Sequence, residues 1–304
     1  MFQVAALCRG FLYACNTTEV HGQEEFLKLL EERQDHTSRK RGLITGQVLP
    51  THRLYHSPYG GLFQPTVTQA IRLLSRGPFP TGPHAASADK QQWSLQNVCV
   101  DPFSEVETAY TTTCSDSYLA PSAYACNSYS WIHIFPEGKV HQSPPKTMRY
   151  FKWGVSRLIL EASECPDVVP IWVEGTDEIM PENRTFPRFI PRINKKLSIT
   201  FGKKADVESV FGDLRSRWQK LKAEAEKDSS PAPLGVLNRE LMDGNEAVEL
   251  RKECTLRVRE LVLQVRRSRG LPDEDPKASL VETWVREGPG REGKFEGDSG
   301  VRDI

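Results

Sequence analysis

Two short stretches hold residues whose types and spacing could do chemistry. The first, "FPEGKV", follows the strand-forming run Trp131 to Phe135 and sets a carboxylate (Glu137), a glycine (Gly138) and an ammonium (Lys139) side by side in a turn. Loops after the carboxyl ends of strands are where open α/β sheets place ligands. There Gly138 permits a backbone position that a side chain would block. Glu137 can accept hydrogen bonds from a hydroxylated ligand and Lys139 can meet a phosphate, although the same charges would also suit a solvated turn. The second stretch is "RGLITGQVLPTHRLYHSPYGG", Arg41 to Gly61. Two apolar strand-like runs, Gly42 to Thr45 and Gln47 to Pro50, abut there with only Gly46 between them. The polar residues that follow, Thr51, His52, Arg53 and His56, read as part of a site without a centre.

Positioning these residues requires a sheet. Trp131 to Phe135 is closed by Pro136 and Gly138 and suits a strand buried on both faces. "PKTMRYFKWGVSRLILEASE" predicts a helix with Phe151, Val155, Leu158 and Ala162 on one stripe; "DVVPIWVEG" and "KKLSITFGK" then predict two more strands. Strand, helix, strand is the order of a crossover unit, so the middle of the chain is α/β with at least one parallel pair. Earlier, Phe26, Leu27, Leu29 and Leu30 suit a short amphipathic helix. In "GLFQPTVTQAIRLLSRG", Val67, Ala70, Ile71 and Leu74 share a helical face that Gly77 is placed to end. Residues 78–130, rich in Pro, Ser, Thr, Ala and Tyr, have no sustained period and read as a low-complexity insertion.

Beyond Lys204 the pattern is helical, followed from Leu271 by an acidic, glycine-rich tail expected to lack fixed structure. In the last long helix Leu250, Cys254, Val258, Leu261 and Val265 make one face, while Arg251, Lys252, Arg257, Arg259, Arg266, Arg267 and Arg269 crowd elsewhere. Such a run is ordinarily a solvated face; the alternative is a surface for lipid phosphates. The organisation is thus an N-terminal helical segment (1–41), an α/β domain (42–205, insertion 78–130), C-terminal helices (206–268) and a tail (269–304).

The chain has 304 residues, 38% of them hydrophobic, and 40 Lys and Arg balance 40 Asp and Glu. That balance argues for no nucleic-acid partner. The 7 cysteines form no CxxC pair and no zinc-spaced cluster, which suggests a reduced compartment and no structural metal. "MFQVAALCRGFLYAC" is interrupted by Arg9 and is shorter than the roughly 20 residues that span a bilayer. It reads as a buried or an interfacial first helix.

"WIHIFPEGKV", "MRYFKWGVSRLI" and "VVPIWVEGTDEIMP", in this order and spacing, resemble the tafazzins, fungal members above all, within the glycerolipid acyltransferases that share the PlsC-type domain. "GQVLPTHR" resembles the family's second block, with its Arg at Arg53; "FPEG" resembles the third, and "VVPIWV" with Pro170 the fourth. The resemblance runs from about Cys8 to about Gly270, with the insertion poorly matched. It implies a PlsC-type sheet flanked by helices and exchange of acyl chains between phospholipids and lysophospholipids, typically cardiolipin and monolysocardiolipin, with no cofactor or metal. It also implies a peripheral or interfacial place on a mitochondrial membrane facing the intermembrane space. Arg53, Glu137, Gly138 and Lys139 would hold the glycerol phosphate.

The chain departs from the family at one point. A His, four residues, Asp block, whose His takes the hydroxyl proton while the Asp orients the imidazole, should stand between the pieces matching "RGLIT" and "GQVLPTHR". Here Thr45 and Gly46 are adjacent, so the block and its strand-helix unit are absent, and weak or no activity is expected. His84 and Asp89 in "HAASAD" have the spacing but lie after the second block, in the insertion, and read as coincidence. His52 and His56 have no Asp at that distance, and His133 reads as a core residue. The other reading is a catalytically silent phospholipid-binding or interaction module.

Overall fold

A strand buried on both faces needs apolar side chains at successive positions. Leu43 and Ile44 supply them, and each belongs to a separate buried cluster. The computed structural model describes residues 10–34, 39–48, 61–75, 109–110, 118–119, 129–138, 142, 146–181, 190–227, 232–280 and 282–283. After a helical turn over residues 10–14 come β1 (Thr17–His21), α1 (Gln23–Glu32), β2 (Leu43–Val48) and α2 (Pro65–Leu74). Then follow β3 (Ala109–Tyr110), β4 (Tyr118–Leu119), β5 (Trp131–His133), α3 (Gly154–Glu161), β6 (Asp167–Val168), β7 (Ile171–Glu174), α4 (Thr176–Ile179) and β8 (Lys196–Phe201). Three helices, α5 (Val207–Ala225), α6 (Arg239–Asp243) and α7 (Asn245–Ser268), follow.

The fold is α/β. β5, β2 and β6 form a parallel sheet with β2 in the middle, so β5, α3 and β6 are the expected crossover unit. β1, β8 and β7 form a second sheet, in which β8 runs parallel to β1 and antiparallel to β7. On the Ile44 side of the first sheet lie Ile132, Val168 and the apolar faces of α2, α3, α5 and α7. On the Leu43 side lie Val169 and Phe26 of α1, with Phe26 stacked 4.5 Å from Phe201. The expected faces of α2 and of the crossover are buried: Ile71, Leu74 and Ile159 are 0% exposed.

Several expectations are corrected. Gly46 does not divide two strands; Leu43–Val48 is one. The crossover helix starts at Gly154, and Phe151 packs into the core from the extended segment before it. "DVVPIWVEG" is two strands in two sheets, because Pro170 has no N–H for a ladder; its carbonyl instead accepts from Gly202 N at 2.8 Å. β1, whose sequence TTEVH has little apolar alternation, forms because β8 offers it an edge. Residues 271–280, expected to belong to a tail without fixed structure, fold back on α7, with Ala278 buried and a 3-10 turn at Pro276–Ser279.

The basic run of α7 is only partly the solvated face its sequence suggests: Lys252 and Arg267 are exposed, whereas three of its arginines turn inward. Arg251, Arg259 and Arg266 are 1–4% exposed. Arg251 donates to the carbonyls of Leu241 and Met242 at the end of α6; Arg259 and Arg266 hold the carbonyls of Met148, Arg149 and Lys146 and share the carboxylate of Glu274. Arg257 pairs with Asp213 and Glu253, and Arg267 with Glu260 and Asp273. Helix ends leave carbonyls without partners, and guanidinium forks supply them. Arg215 of α5 likewise caps the end of α3 through the carbonyls of Ile159, Ala162 and Ser163.

Candidate functional site

The carboxyl edge of the first sheet brings the two sequence blocks together. β2 and β5 pair as Leu43 with Trp131 and Ile44 with Ile132, and then as Val48 with His133. Thr45, Gly46 and Gln47 thus have no residues opposite them, and the register slips at the point where the two apolar runs abut. From His133 the chain passes into the turn at Phe135–Gly138. Val48 and His133 stand side by side, so the described start of the first block, Gly46 to Val48, lies at the edge from which the turn issues.

The turn is fixed from below. Gly138 N donates to Phe135 O at 2.9 Å, and Lys152 N donates to Pro136 O at 2.7 Å. Gly138 sits at φ 65°, in the region where glycine carries no penalty. A Cβ there would stand 2.8 Å from the stem of Lys152. One carboxylate oxygen of Glu137 accepts from Arg149 N at 3.0 Å, which ties the turn to the segment leading into α3. Phe135 is 65% exposed beside the turn.

His133, read from sequence as a core residue, is half-buried. Its ring lies edge-on to Phe135 at 4.4 Å, and Nδ1 is buried with no hydrogen-bond partner among the described residues. Burial lowers its pKa from the ordinary 6.5, so the imidazole is neutral near pH 7. A neutral ring beside the turn can accept a proton or a hydrogen bond.

Of the residues singled out in the sequence, Glu137 and Gly138 are at this edge. Arg53, Lys139, His52, His56, His84 and Asp89 lie outside the described residues. Sequence reasoning did not find the brace from Arg149 to Glu137, because a backbone donor leaves no residue-type signal. The insertion begins and ends at one place: Tyr129 N donates to Ser75 O at 3.0 Å and Ser130 N to Leu73 O at 2.8 Å. Among the described residues no helix is long and apolar enough to cross a membrane.

No family model matches the chain. It is 33% identical to the tafazzin of Saccharomyces cerevisiae over 249 residues, which cover 79% of this chain and 58% of the yeast protein. The chain is a homologue of the tafazzins. The Drosophila melanogaster tafazzin is 38% identical over 87 residues, 29% of this chain and 22% of that protein. An N-acylphosphatidylethanolamine synthase of Arabidopsis thaliana is 43% identical over 75 residues, 24% of this chain and 26% of that protein. This tafazzin homologue therefore spans somewhat more than half the length of its yeast relative.

Proposed function

We propose that the chain derives from a phospholipid–lysophospholipid transacylase of the tafazzin type, acting in cardiolipin remodelling, and that as sequenced it transfers acyl chains weakly or not at all. The observation that supports this reading is the shared edge of β2 and β5, where Val48 stands opposite His133, two residues before the turn at Phe135–Gly138. A glycerol phosphate at this edge would take its phosphate from Arg53 and Lys139 and a hydroxyl hydrogen bond from Glu137. Attack on an acyl carbonyl needs a base oriented by a carboxylate, which the block absent between Thr45 and Gly46 would supply. The register slip after Ile44 supports the absence: Thr45 to Gln47 find no place opposite β5, as expected if "RGLIT" and "GQVLP" belong to two different strands. His84 and Asp89 are not assigned the role.

Membrane association at a mitochondrial surface facing the intermembrane space is part of the same reading. Tyr13, Ile190 and Ile193 are 52–58% exposed. Their two segments are stitched together by the bond from Asn194 N to Cys15 O at 2.8 Å, and Arg192 is exposed between the isoleucines. Apolar side chains interleaved with a cation suit the headgroup boundary of an anionic bilayer. The exposed Tyr13 suits an interfacial place for residues 10–14, the described part of that first helix.

Purified protein mixed with vesicles of phosphatidylcholine and monolysocardiolipin tests the function. Binding with little or no transfer of a labelled acyl chain is expected, and brisk transfer would sink the claim of lost activity. Transcripts provide a second check: a form with an in-frame segment between the codons for Thr45 and Gly46, encoding His, four residues, Asp, is expected. The alternative reading, a silent phospholipid-binding module, is favoured if every transcript joins those codons directly.

A further inference from the structure

The second sheet turns one face to polar groups that have not found partners. Pairing across β1, β8 and β7 sets His21, Thr200 and Trp172 in one row and Glu19, Ser198 and Glu174 in the next, all on the same side. Ser198 and Thr200 are 5% and 7% exposed. Their hydroxyls and the indole Nε1 of Trp172 are buried with no hydrogen-bond partner among the described residues. Buried polar groups are nearly always paired, so three neighbours left open on one face call for an occupant.

The last turns of α7 form a roof over this face. The Arg266 guanidinium lies 5.9 Å from the centre of the Trp172 ring, Arg269 reaches Glu174 at 3.5 Å, and Lys146 reaches the same carboxylate at 3.6 Å. Gly202, at the end of β8, has no room for a Cβ, which would meet Val265 of α7 at 2.5 Å. The rim towards β1 is open: the side chains of Glu19, His21 and Lys196 are 38%, 40% and 64% exposed. Both carboxylates are engaged, Glu19 by Lys196 at 2.8 Å and, more distantly, by His21 Nε2 at 3.7 Å, and Glu174 by Lys146 and Arg269. Lys146, Lys196 and Arg269 against Glu19 and Glu174 leave one positive charge in excess.

We propose that the polar face of the β1-β8-β7 sheet beneath the end of α7, entered from its exposed β1 rim, binds a phosphate group. An indole N–H only donates, so the occupant must present an acceptor oxygen; two hydroxyls able to donate and the cationic roof extend that requirement to several oxygens with negative charge. Inorganic phosphate and the headgroup of a phosphomonoester lipid share this chemistry. The site uses neither the Phe135–Gly138 turn nor the Thr45–Gly46 junction, so it stands or falls independently of acyl transfer.

Titration of the purified chain with inorganic phosphate, followed by calorimetry, tests the site, with Thr200→Val as the variant. Valine keeps the shape of the side chain and removes the hydroxyl. We expect saturable binding to the wild type, at least tenfold weaker in Thr200→Val, with the variant melting at the same temperature or higher in phosphate-free buffer. Vesicles of phosphatidylcholine containing phosphatidic acid that compete with phosphate mark the lipid headgroup as the source; failure to compete marks the free anion. Equal affinity in the two proteins overturns the proposal. So does a wild type that binds no phosphate, in which case water satisfies these groups.

Discussion

In the β5-β2-β6 sheet the central strand buries Leu43 on one face and Ile44 on the other, at 0% and 4% exposure, and helices cover both. In the β1-β8-β7 sheet, Phe201 joins the apolar cluster with Phe26, whereas Ser198, Thr200 and Trp172 line the other face beneath the end of α7 with hydroxyls and an indole N–H unpartnered. Two sheets of three strands are thus used differently. The first is a two-sided core whose carboxyl edge can hold a turn rigid. The second carries buried polar groups on the face beneath the end of α7, which suits binding rather than support.

Substitutions can break or sharpen that contrast. Leu43→Ala, in the two-sided core, should lose about 2–5 kcal/mol of stability, since α1 and the sheet cannot fully collapse onto the cavity; chemical denaturation reads the loss. Gly138→Ala should cost about 1–3 kcal/mol, because φ 65° is strained for alanine. Its larger consequence should be weaker binding to monolysocardiolipin vesicles, as the turn shifts against Lys152. Thr200→Val, on the polar face, should have the opposite sign in phosphate-free buffer, gaining up to about 1 kcal/mol by deleting a buried hydroxyl that lacks a partner.

The smallest expected effect belongs to His133. Burial lowers its folded pKa below 6.5, so the unfolded chain binds the proton more readily. The stability this group contributes is complete above about pH 6.5 and is lost as pH falls through the folded value. Comparing urea midpoints of wild type and His133→Gln from neutral to mildly acidic pH should show the wild type losing its relative advantage; parallel curves would mean that the ring is solvated.

Much of the fold was legible in the sequence because apolar period and burial coincide. Val67, Ala70, Ile71 and Leu74 sit at helical spacing and all four are buried in the core. The crossover could be read because strand and helix periods alternate around Gly154–Glu161. Where polar residues build the structure, the pattern misleads. Arg251, Arg259 and Arg266 look like a solvated stripe, yet each goes inward to carbonyls outside its own helix, a pairing that spacing along one helix does not encode. β1 escaped notice because its partner β8 lies far along the chain. Of the candidate site, the Phe135–Gly138 turn could be read from its residue types, and Gly138 does adopt the backbone that only glycine takes without strain. The polar face of the second sheet could not be read, since serine and threonine in strands are ordinary until register shows that they have nothing to bind.

The central claim is that this chain carries a phospholipid acyl-transfer edge from which the proton-transferring block is absent. Grafting the corresponding block of the yeast tafazzin between Thr45 and Gly46, and measuring transfer of a labelled acyl chain from phosphatidylcholine to monolysocardiolipin, tests it most directly. The account predicts transfer by the graft, abolished by Glu137→Gln, and little or none by the chain as sequenced. Equal transfer by both proteins, or a folded graft that binds the vesicles and transfers nothing, would contradict it.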